Sequence, residues 1–135
     1  MNYLAEVSSI MTKDLLTVAP TDGLERVKEI FDNHNIHHIP VVRYKKIVGM
    51  LSKYDYMGFL AGLRHADNQD VSLASVKVEQ IMTTGLGKLE PSDRINIAID
   101  IFNMNRFHAL PVVEKEELVG LVTTHDLIKS LAHES

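Results

Sequence analysis

Apolar and polar positions along the chain change period in a fixed order, and that order occurs twice. A short alternating stretch ends at a proline, LLTVAP at 15–20 and LGKLEP at 86–91, which predicts a brief strand. Apolar residues then recur at helical spacing, and two runs rich in β-branched residues follow. A second helix is expected to begin at Ser52 or Lys53, and its counterpart at Thr123. Each half is therefore predicted to be strand, helix, strand, strand, helix.

The first predicted helix of each half follows polar residues that are suited to cap its N-terminus. Thr21 or Asp22 precedes it in the first half, and Ser92 or Asp93 in the second. The apolar runs after this helix are IPVV and IVGML, then LPVV and LVGLV, each pair separated by a short charged segment. Because the runs are almost wholly apolar, we expect a hairpin that is covered on both faces.

The two halves are copies of one unit. An offset of 71 residues aligns 10–55 with 81–126 without a gap, and 15 of these 46 aligned positions are identical. Chance would give about three identities at average composition. We assign residues 5–63 to the first copy, 64–75 to a polar connector and 76–132 to the second copy.

Neither copy is long enough to bury both faces of its own sheet. A unit of about 50 residues with three strands and two helices needs a partner surface, and a second copy in the same chain supplies one. The prediction is one compact pair with pseudo-twofold symmetry and a cleft where the two sheets meet.

Composition narrows the classes of function. The chain has 135 residues, of which 45% are hydrophobic and 24% charged, as is usual for a globular domain. It has no cysteine, which excludes disulfides, a CxxC redox pair, a zinc–thiolate site and a cysteine nucleophile. The net charge of −4 gives no basic excess for nucleic acid, and no apolar run reaches the roughly 20 residues of a membrane span. We expect a soluble, cytoplasmic protein that binds neither nucleic acid nor a membrane.

A hydroxyl residue and an aspartate recur three residues apart where the second strand of each hairpin meets a helix. The pairs are Ser52 with Asp55 and Thr123 with Asp126. The first turn of a helix has unpaired N–H groups and a partial positive charge that suit phosphate, while a carboxylate there can accept hydrogen bonds from two hydroxyls. Ordinary helix capping is the more common explanation of either pair when it stands alone, whereas the duplication and the flanking GML and GLV favour a binding site.

The ordered set of motifs resembles the CBS-domain family, named after cystathionine β-synthase, as a stand-alone tandem pair. The motifs are IMT at the start, HHIPVV and FHALPVV in the middle, and GMLSKYD and GLVTTHD at the end. The resemblance extends over roughly residues 5–132. It implies an α/β (α+β) fold of two tandem β-α-β-β-α repeats packed with pseudo-twofold symmetry.

The resemblance also implies a function and a set of ligand-binding residues. Tandem CBS pairs bind adenosine compounds between their copies, so AMP, ADP or ATP is the expected ligand, with no obligatory cofactor. Aspartate would bind the ribose hydroxyls, the hydroxyl residue and histidine would face phosphate, and the first-strand positions would hold the adenine. The implied residues are Thr17, Val18, His37, His38, Ser52 and Asp55 in the first copy and Lys88, Leu89, His108, Ala109, Thr123 and Asp126 in the second.

The leading hypothesis is a regulatory module without catalysis of its own that senses a nucleotide and signals to an effector protein. S-adenosylmethionine or another adenosyl compound is an alternative ligand, and a ligand-free structural or interaction module is an alternative function. An enzyme is disfavoured because no coherent nucleophile and base set occurs. The histidines of HNIHH at 34–38 could be read as a metal site, but no carboxylate or cysteine completes a set of ligands there.

The predicted turns of the two hairpins carry opposite charge. RYKK at 43–46 is basic, and EKEE at the equivalent positions 114–117 is acidic. Solvated loops are the simplest interpretation. Since CBS pairs often form flat dimers, we also expect a homodimer in which the basic turn of one chain approaches the acidic turn of another.

Overall fold

The computed structural model describes residues 1–65 and 71–133. It contains two hairpins, each preceded by one helix and followed by another, which confirms the predicted mixture of helices and strands. The α-helices and strands are α1 Leu24–Asn33, β1 His38–Arg43, β2 Lys46–Ser52, α2 Lys53–His65, α3 Ile95–Asn103, β3 Ala109–Glu114, β4 Glu117–Thr123 and α4 Thr124–Ala132, and short 3-10 helices span Val7–Ser9, Leu73–Ser75 and Val78–Gln80. Of the predicted connector 64–75, residues 66–70 lie outside the described residues.

The chain divides into two compact units. Unit A comprises Leu16–Gly85, and unit B comprises Met1–Leu15 together with Leu86–Ser135. The boundaries differ from those of the sequence repeat, because the first segment of each copy belongs to the unit that contains the other copy's hairpin.

Each unit is built on an antiparallel hairpin in the same register. In unit A the pairing runs from His38 with Ser52 to Arg43 with Lys46, and in unit B from Ala109 with Thr123 to Glu114 with Glu117. Three consecutive residues of β1 are buried, as expected for a strand that is covered on both faces.

The first strand predicted for each copy is much shorter than expected. LLTVAP makes a single parallel bridge, between Val18 and Val41, and LGKLEP makes only the bridge between Leu89 and Val112. Val18 and Leu89 are buried, so the apolar pattern identified the contact correctly. A proline two residues after each bridge lacks the N–H that a longer ladder would need.

A second short segment adds to the other edge of each hairpin. Thr12 bridges Leu121 in unit B, and Thr83 bridges Met50 in unit A. The methionine before each threonine lies against a hairpin glycine: a Cβ at Gly49 would lie 2.9 Å from Met82 Cγ, and the equivalent distance from Gly120 to Met11 Cγ is the same. Glycine is therefore required at these positions because the methionine approaches so closely.

The predicted N-caps of α1 and α3 are wrong. The cap positions are Gly23 and Arg94, and neither makes a side-chain cap bond. The Asp22 carboxylate instead accepts a bond from the Ala19 N–H at 2.8 Å, which stabilises the preceding turn. Backbone carbonyls satisfy the first helical N–H groups, since Leu24 donates to Val76 and Ile95 to Ala5.

Candidate functional site

In unit A the end of β2, the start of β1 and the first turn of α2 meet at one place. His38 is paired directly with Ser52. The carbonyl of His37 accepts a hydrogen bond from the Lys53 N–H at 2.8 Å, which joins the start of β1 to the start of α2. The His37 side chain is exposed, whereas those of His38, Ser52 and Lys53 are half-buried. Three basic side chains therefore lie at or beside the N-terminus of a helix, where an anion is favoured.

Ser52 and Asp55 form the first turn of α2. The Ser52 hydroxyl accepts a hydrogen bond from the Asp55 N–H at 3.0 Å, which is a helix cap, as the sequence suggested. The Asp55 side chain is exposed. Within the part of the chain that the structure describes, no donor reaches its carboxylate. The cap and an available carboxylate thus coexist at this site.

Thr17 and Val18 lie along the edge of β1 that does not pair with β2. The Val18 side chain is 4% exposed and belongs to the core of unit A. Its backbone groups pair with β1, with Val18 donating to Pro40 and accepting from Val42. Thr17 is exposed, so of these two neighbours it is the one with a side chain that can contact a ligand.

Unit B repeats this backbone arrangement with different side chains. Ala109 is paired with Thr123, and the His108 carbonyl accepts from the Thr124 N–H at 3.2 Å. His108 is exposed, but Ala109 is buried where unit A has a half-buried histidine. Thr124 stands where unit A has Lys53, so two of the three basic side chains are replaced at their equivalent positions, while His125 stands where unit A has Tyr54.

Lys88 and Leu89 repeat the arrangement of Thr17 and Val18. The Leu89 side chain is 1% exposed, and its backbone groups pair with Pro111 and Val113. Lys88 is exposed and adds a positive charge at the edge of β3 that unit A does not have. The two units therefore place their basic groups on different elements.

The largest difference concerns the second aspartate. Asp126 is half-buried and forms a capping box with Thr123, accepting from its N–H at 2.9 Å and its hydroxyl at 3.1 Å. Its other oxygen, Oδ1, accepts a hydrogen bond from the Thr12 hydroxyl at 3.1 Å. Thr12 was not predicted as a site residue. The recurrence of IMT in both copies was the available signal, but identity alone does not say which aspartate a threonine reaches.

The histidines at 34–38 do not lie in a group of three candidate metal ligands among the described residues. Among residues 1–65 and 71–133, no group of three histidine, aspartate or glutamate side chains is placed to hold a metal ion. His34 follows the last residue of α1 and has extended backbone geometry, so it does not share a helix face with His37 or His38.

Among residues 1–65 and 71–133, no helix is both long enough and apolar enough to cross a membrane.

The groups gathered at the start of α2 can bind a ligand through hydrogen bonds and charge. A helix start with basic side chains can bind an anion, and an acceptor carboxylate one turn away can bind hydroxyl donors. A molecule that carries both groups a few ångströms apart fits this arrangement.

The chain is similar to known proteins in both sequence and fold. The family model for the CBS domain matches residues 7–62 and again 78–133. The CBS domain-containing protein YhcV of Bacillus subtilis is 27% identical over 133 residues, covering 98% of this chain and 90% of YhcV. The chain also matches inosine-5′-monophosphate dehydrogenases, of which it spans about a quarter of the length.

Two solved structures share this fold at low sequence identity. The CBS domain pair of protein MJ0100, solved with 5′-methylthioadenosine and S-adenosyl-L-methionine, has a TM-score of 0.81 at 22% identity and covers 98% of this chain and 99% of that one. CBSX2 in complex with AMP has a TM-score of 0.79 at 21% identity and covers 95% and 96%. The two family matches, together with the repeated hairpin and Ser/Thr-x-x-Asp turn, establish that this chain belongs to the CBS domain family and contains a tandem pair of the domain.

Proposed function

We propose that this chain is a regulatory module that binds an adenosine nucleotide, AMP, ADP or ATP, and signals its occupancy to a partner protein. The observation that carries the proposal is the first turn of α2. There an exposed carboxylate, Asp55, lies three residues from a helix-capping hydroxyl, Ser52, beside His37. The ribose would donate its two hydroxyls to Asp55, and phosphate would lie at the helix start.

Charge favours a phosphate-bearing ligand at unit A. Lys53 begins α2, backbone contacts join His37 and His38 to the same place, and a helix N-terminus attracts anions. CBSX2, whose fold is similar, is described in complex with AMP. These features support a nucleotide more strongly than a ligand with a positively charged sulfonium.

S-adenosylmethionine is the second candidate ligand. MJ0100, which is described with that compound and with 5′-methylthioadenosine, shares the fold of this chain. Both compounds contain the ribose that Asp55 would bind, so the carboxylate does not distinguish them from AMP. The groups beyond the ribose decide between the two classes of ligand.

Signalling requires the ligand to have unequal affinity for two conformations of the protein. Binding would favour one conformation, and an effector protein would detect it. We propose no catalysis for this chain, because the Ser52 hydroxyl accepts from the Asp55 N–H and no base among the described residues accepts a hydrogen bond from it. The absence of cysteine fits a location in a reducing cytoplasm.

We also propose a homodimer that is guided by the two hairpin turns. All residues of the basic turn 43–46 and of the acidic turn 114–117 are exposed. Opposite charges at the turns would set the register between two chains. Light scattering at high micromolar concentration should detect a dimer that weakens with added salt, while a monomer at all concentrations would refute this part of the proposal.

A thermal-shift panel tests ligand binding directly. AMP, ADP, ATP and S-adenosylmethionine are each added at about 100 times a micromolar Kd, which should raise the melting temperature by roughly 5–15 °C for the ligand that binds. The double variant Asp55→Ala/Asp126→Ala should lose the shift. Asp100→Ala, which removes an exposed carboxylate on α3, is the matched control and should keep it.

Each outcome of the panel has one meaning. A shift with AMP, ADP or ATP supports the proposed nucleotide, and a shift with S-adenosylmethionine alone favours the second candidate. No shift with any of the four compounds contradicts the sensing function. ATP turnover by the purified chain would contradict the absence of catalysis.

A further inference from the structure

The Asp126 carboxylate has most of its hydrogen-bonding capacity already in use. Its Oδ1 accepts from the Thr12 hydroxyl at 3.1 Å, and its Oδ2 accepts from the N–H and the hydroxyl of Thr123 at 2.9 Å and 3.1 Å. An ionised carboxylate has about four lone-pair sites, so three acceptances leave about one. Two ribose hydroxyls need two.

The equivalent carboxylate in unit A is open. Asp55 receives no hydrogen bond at its carboxylate from any described residue, and its side chain is exposed. Two ribose hydroxyls can therefore bind it without displacing a protein group.

The backbone around the two threonines does not account for this difference. The Thr12 N–H donates to Leu121 at 2.8 Å and the Leu121 N–H returns a bond to Thr12 at 2.9 Å. Thr83 exchanges the same two bonds with Met50, at 2.8 Å and 2.9 Å. Only the hydroxyls differ, because that of Thr12 reaches an aspartate and that of Thr83 donates to no described residue.

We propose that the Thr12 hydroxyl competes with the ligand for Asp126, so that an adenosine nucleotide fills the Asp55 site first and the Asp126 site only when Thr12 is displaced. This inference rests on the proposed function, since it assumes that ribose hydroxyls bind these carboxylates. Thr12 is thus a specificity-determining residue that makes two sites of one repeated design unequal.

The size of the effect follows from the bond that must be lost. A hydrogen bond to a charged acceptor, exposed to water, changes an equilibrium by about tenfold. We expect the Asp126 site to bind AMP about ten times more weakly than it would without Thr12. Displacement also frees a side chain beside the Thr12–Leu121 bridge, so residues 10–12 should respond only to the second ligand.

The test is isothermal titration of AMP into single-site proteins. In an Asp55→Ala background only the Asp126 site remains, and Thr12→Val should tighten AMP binding by about tenfold. Thr83→Val, the equivalent change in unit A, should leave the affinity unchanged. Thr12→Ser keeps the hydroxyl and should keep the weak binding, which separates competition from a general disturbance of the segment.

The possible results distinguish this inference from the proposed function. If AMP binds but Thr12→Val does not tighten the Asp126 site, or if the wild-type protein shows two equal sites, the competition is refuted while nucleotide binding stands. If the wild-type protein and every variant fail to bind AMP, ADP and ATP, the proposed function fails, and the competition fails with it. Circular dichroism of each variant establishes that it is folded.

Discussion

Units A and B use one backbone design with different side-chain contacts. Both have a hairpin in the same register, a glycine against a methionine, and a Ser/Thr-x-x-Asp turn at a helix start. In unit A, Tyr56 is buried and Asp55 is open; in unit B, Leu127 is half-buried and Asp126 is bonded to two threonines. The two units therefore share a framework and differ in the core and at the candidate site.

The largest expected difference between the two units is in how much the core residue on the second helix of each unit, α2 or α4, contributes to the free energy of unfolding. Tyr56 is 4% exposed, and its ring centroid lies 5.5 Å from that of Phe31. Leu127 instead lines an apolar cavity of about 640 Å³. Tyr56→Ala should lower the free energy of unfolding by about 3–5 kcal/mol, and Leu127→Ala by about 1–2 kcal/mol. Urea denaturation measures both, and equal losses would contradict the difference in packing.

The next largest difference is in how much Asp126 and Asp55 stabilise the ligand-free protein. Asp126→Ala removes the capping box and the acceptor of the Thr12 hydroxyl, and should cost about 1–2 kcal/mol. Asp55→Ala removes a carboxylate with no described donor and should cost about 0.5 kcal/mol or less. Urea denaturation tests which variant loses more stability: the midpoint should fall further for Asp126→Ala, while the dependence of the unfolding free energy on urea stays the same in both variants. A costlier Asp55→Ala would show that its carboxylate has a structural role.

The two hairpin turns offer a smaller stabilising change. Tyr44 and Lys45 both have positive φ, as do Lys115 and Glu116, so each turn places two non-glycine residues in the left-handed region. Lys45→Gly should raise the free energy of unfolding by about 0.5–1 kcal/mol. Glu116→Gly, the equivalent change in unit B, should act in the same direction because Glu116 also has positive φ. A lower stability of Lys45→Gly would show that the positive φ at this position does not cost the wild-type protein free energy.

The smallest effect is an alkaline sensitivity of unit A. Burial raises the pKa of Tyr56 above 10, and the hydrogen bond to Asp32 raises the pKa of Lys28. The folded state then keeps protons that the unfolded chain loses, so stability is full below the ordinary pKa values and falls as the pH rises from them through the raised pKa values of the folded state. The counterparts, Leu127 and Ile99, do not titrate.

Unfolding free energies measured from about pH 8 to 11 test this sensitivity. Tyr56→Phe keeps the ring and removes the hydroxyl, so it should flatten the decline. An unchanged decline in that variant would assign it to other groups. Lys28 is fully exposed, and its substitution should change the curve least.

Much of the framework was predictable because local patterns determine it. The hairpins, the start of α2 at Lys53 and the cap by Ser52 follow from β-branched runs and a polar residue at a helix start. The caps of α1 and α3 were not predictable from such patterns, because carbonyls distant in sequence satisfy those helix ends. The longer first strand was also wrong, because a proline two residues after each bridge lacks the N–H that a longer ladder would need.

The pairing of the IMT segments could not be read from the sequence. Both copies have the same three residues, and both hairpins have a glycine to receive the methionine. Either segment could therefore add to either hairpin, and only the folded chain shows that 10–12 adds to β4. The hydrogen bond from Thr12 to Asp126 forms only because 10–12 adds to β4, so it could not be predicted from the sequence either.

The most direct test of the account is an AMP titration of the wild-type protein followed by backbone amide resonances. We predict that His37, Ser52 and Asp55 shift first, and that Thr123, Asp126 and residues 10–12 follow at roughly tenfold higher AMP. Simultaneous shifts would contradict the difference between the sites. Shifts confined to other parts of the chain, or none at all, would contradict nucleotide binding at these aspartates.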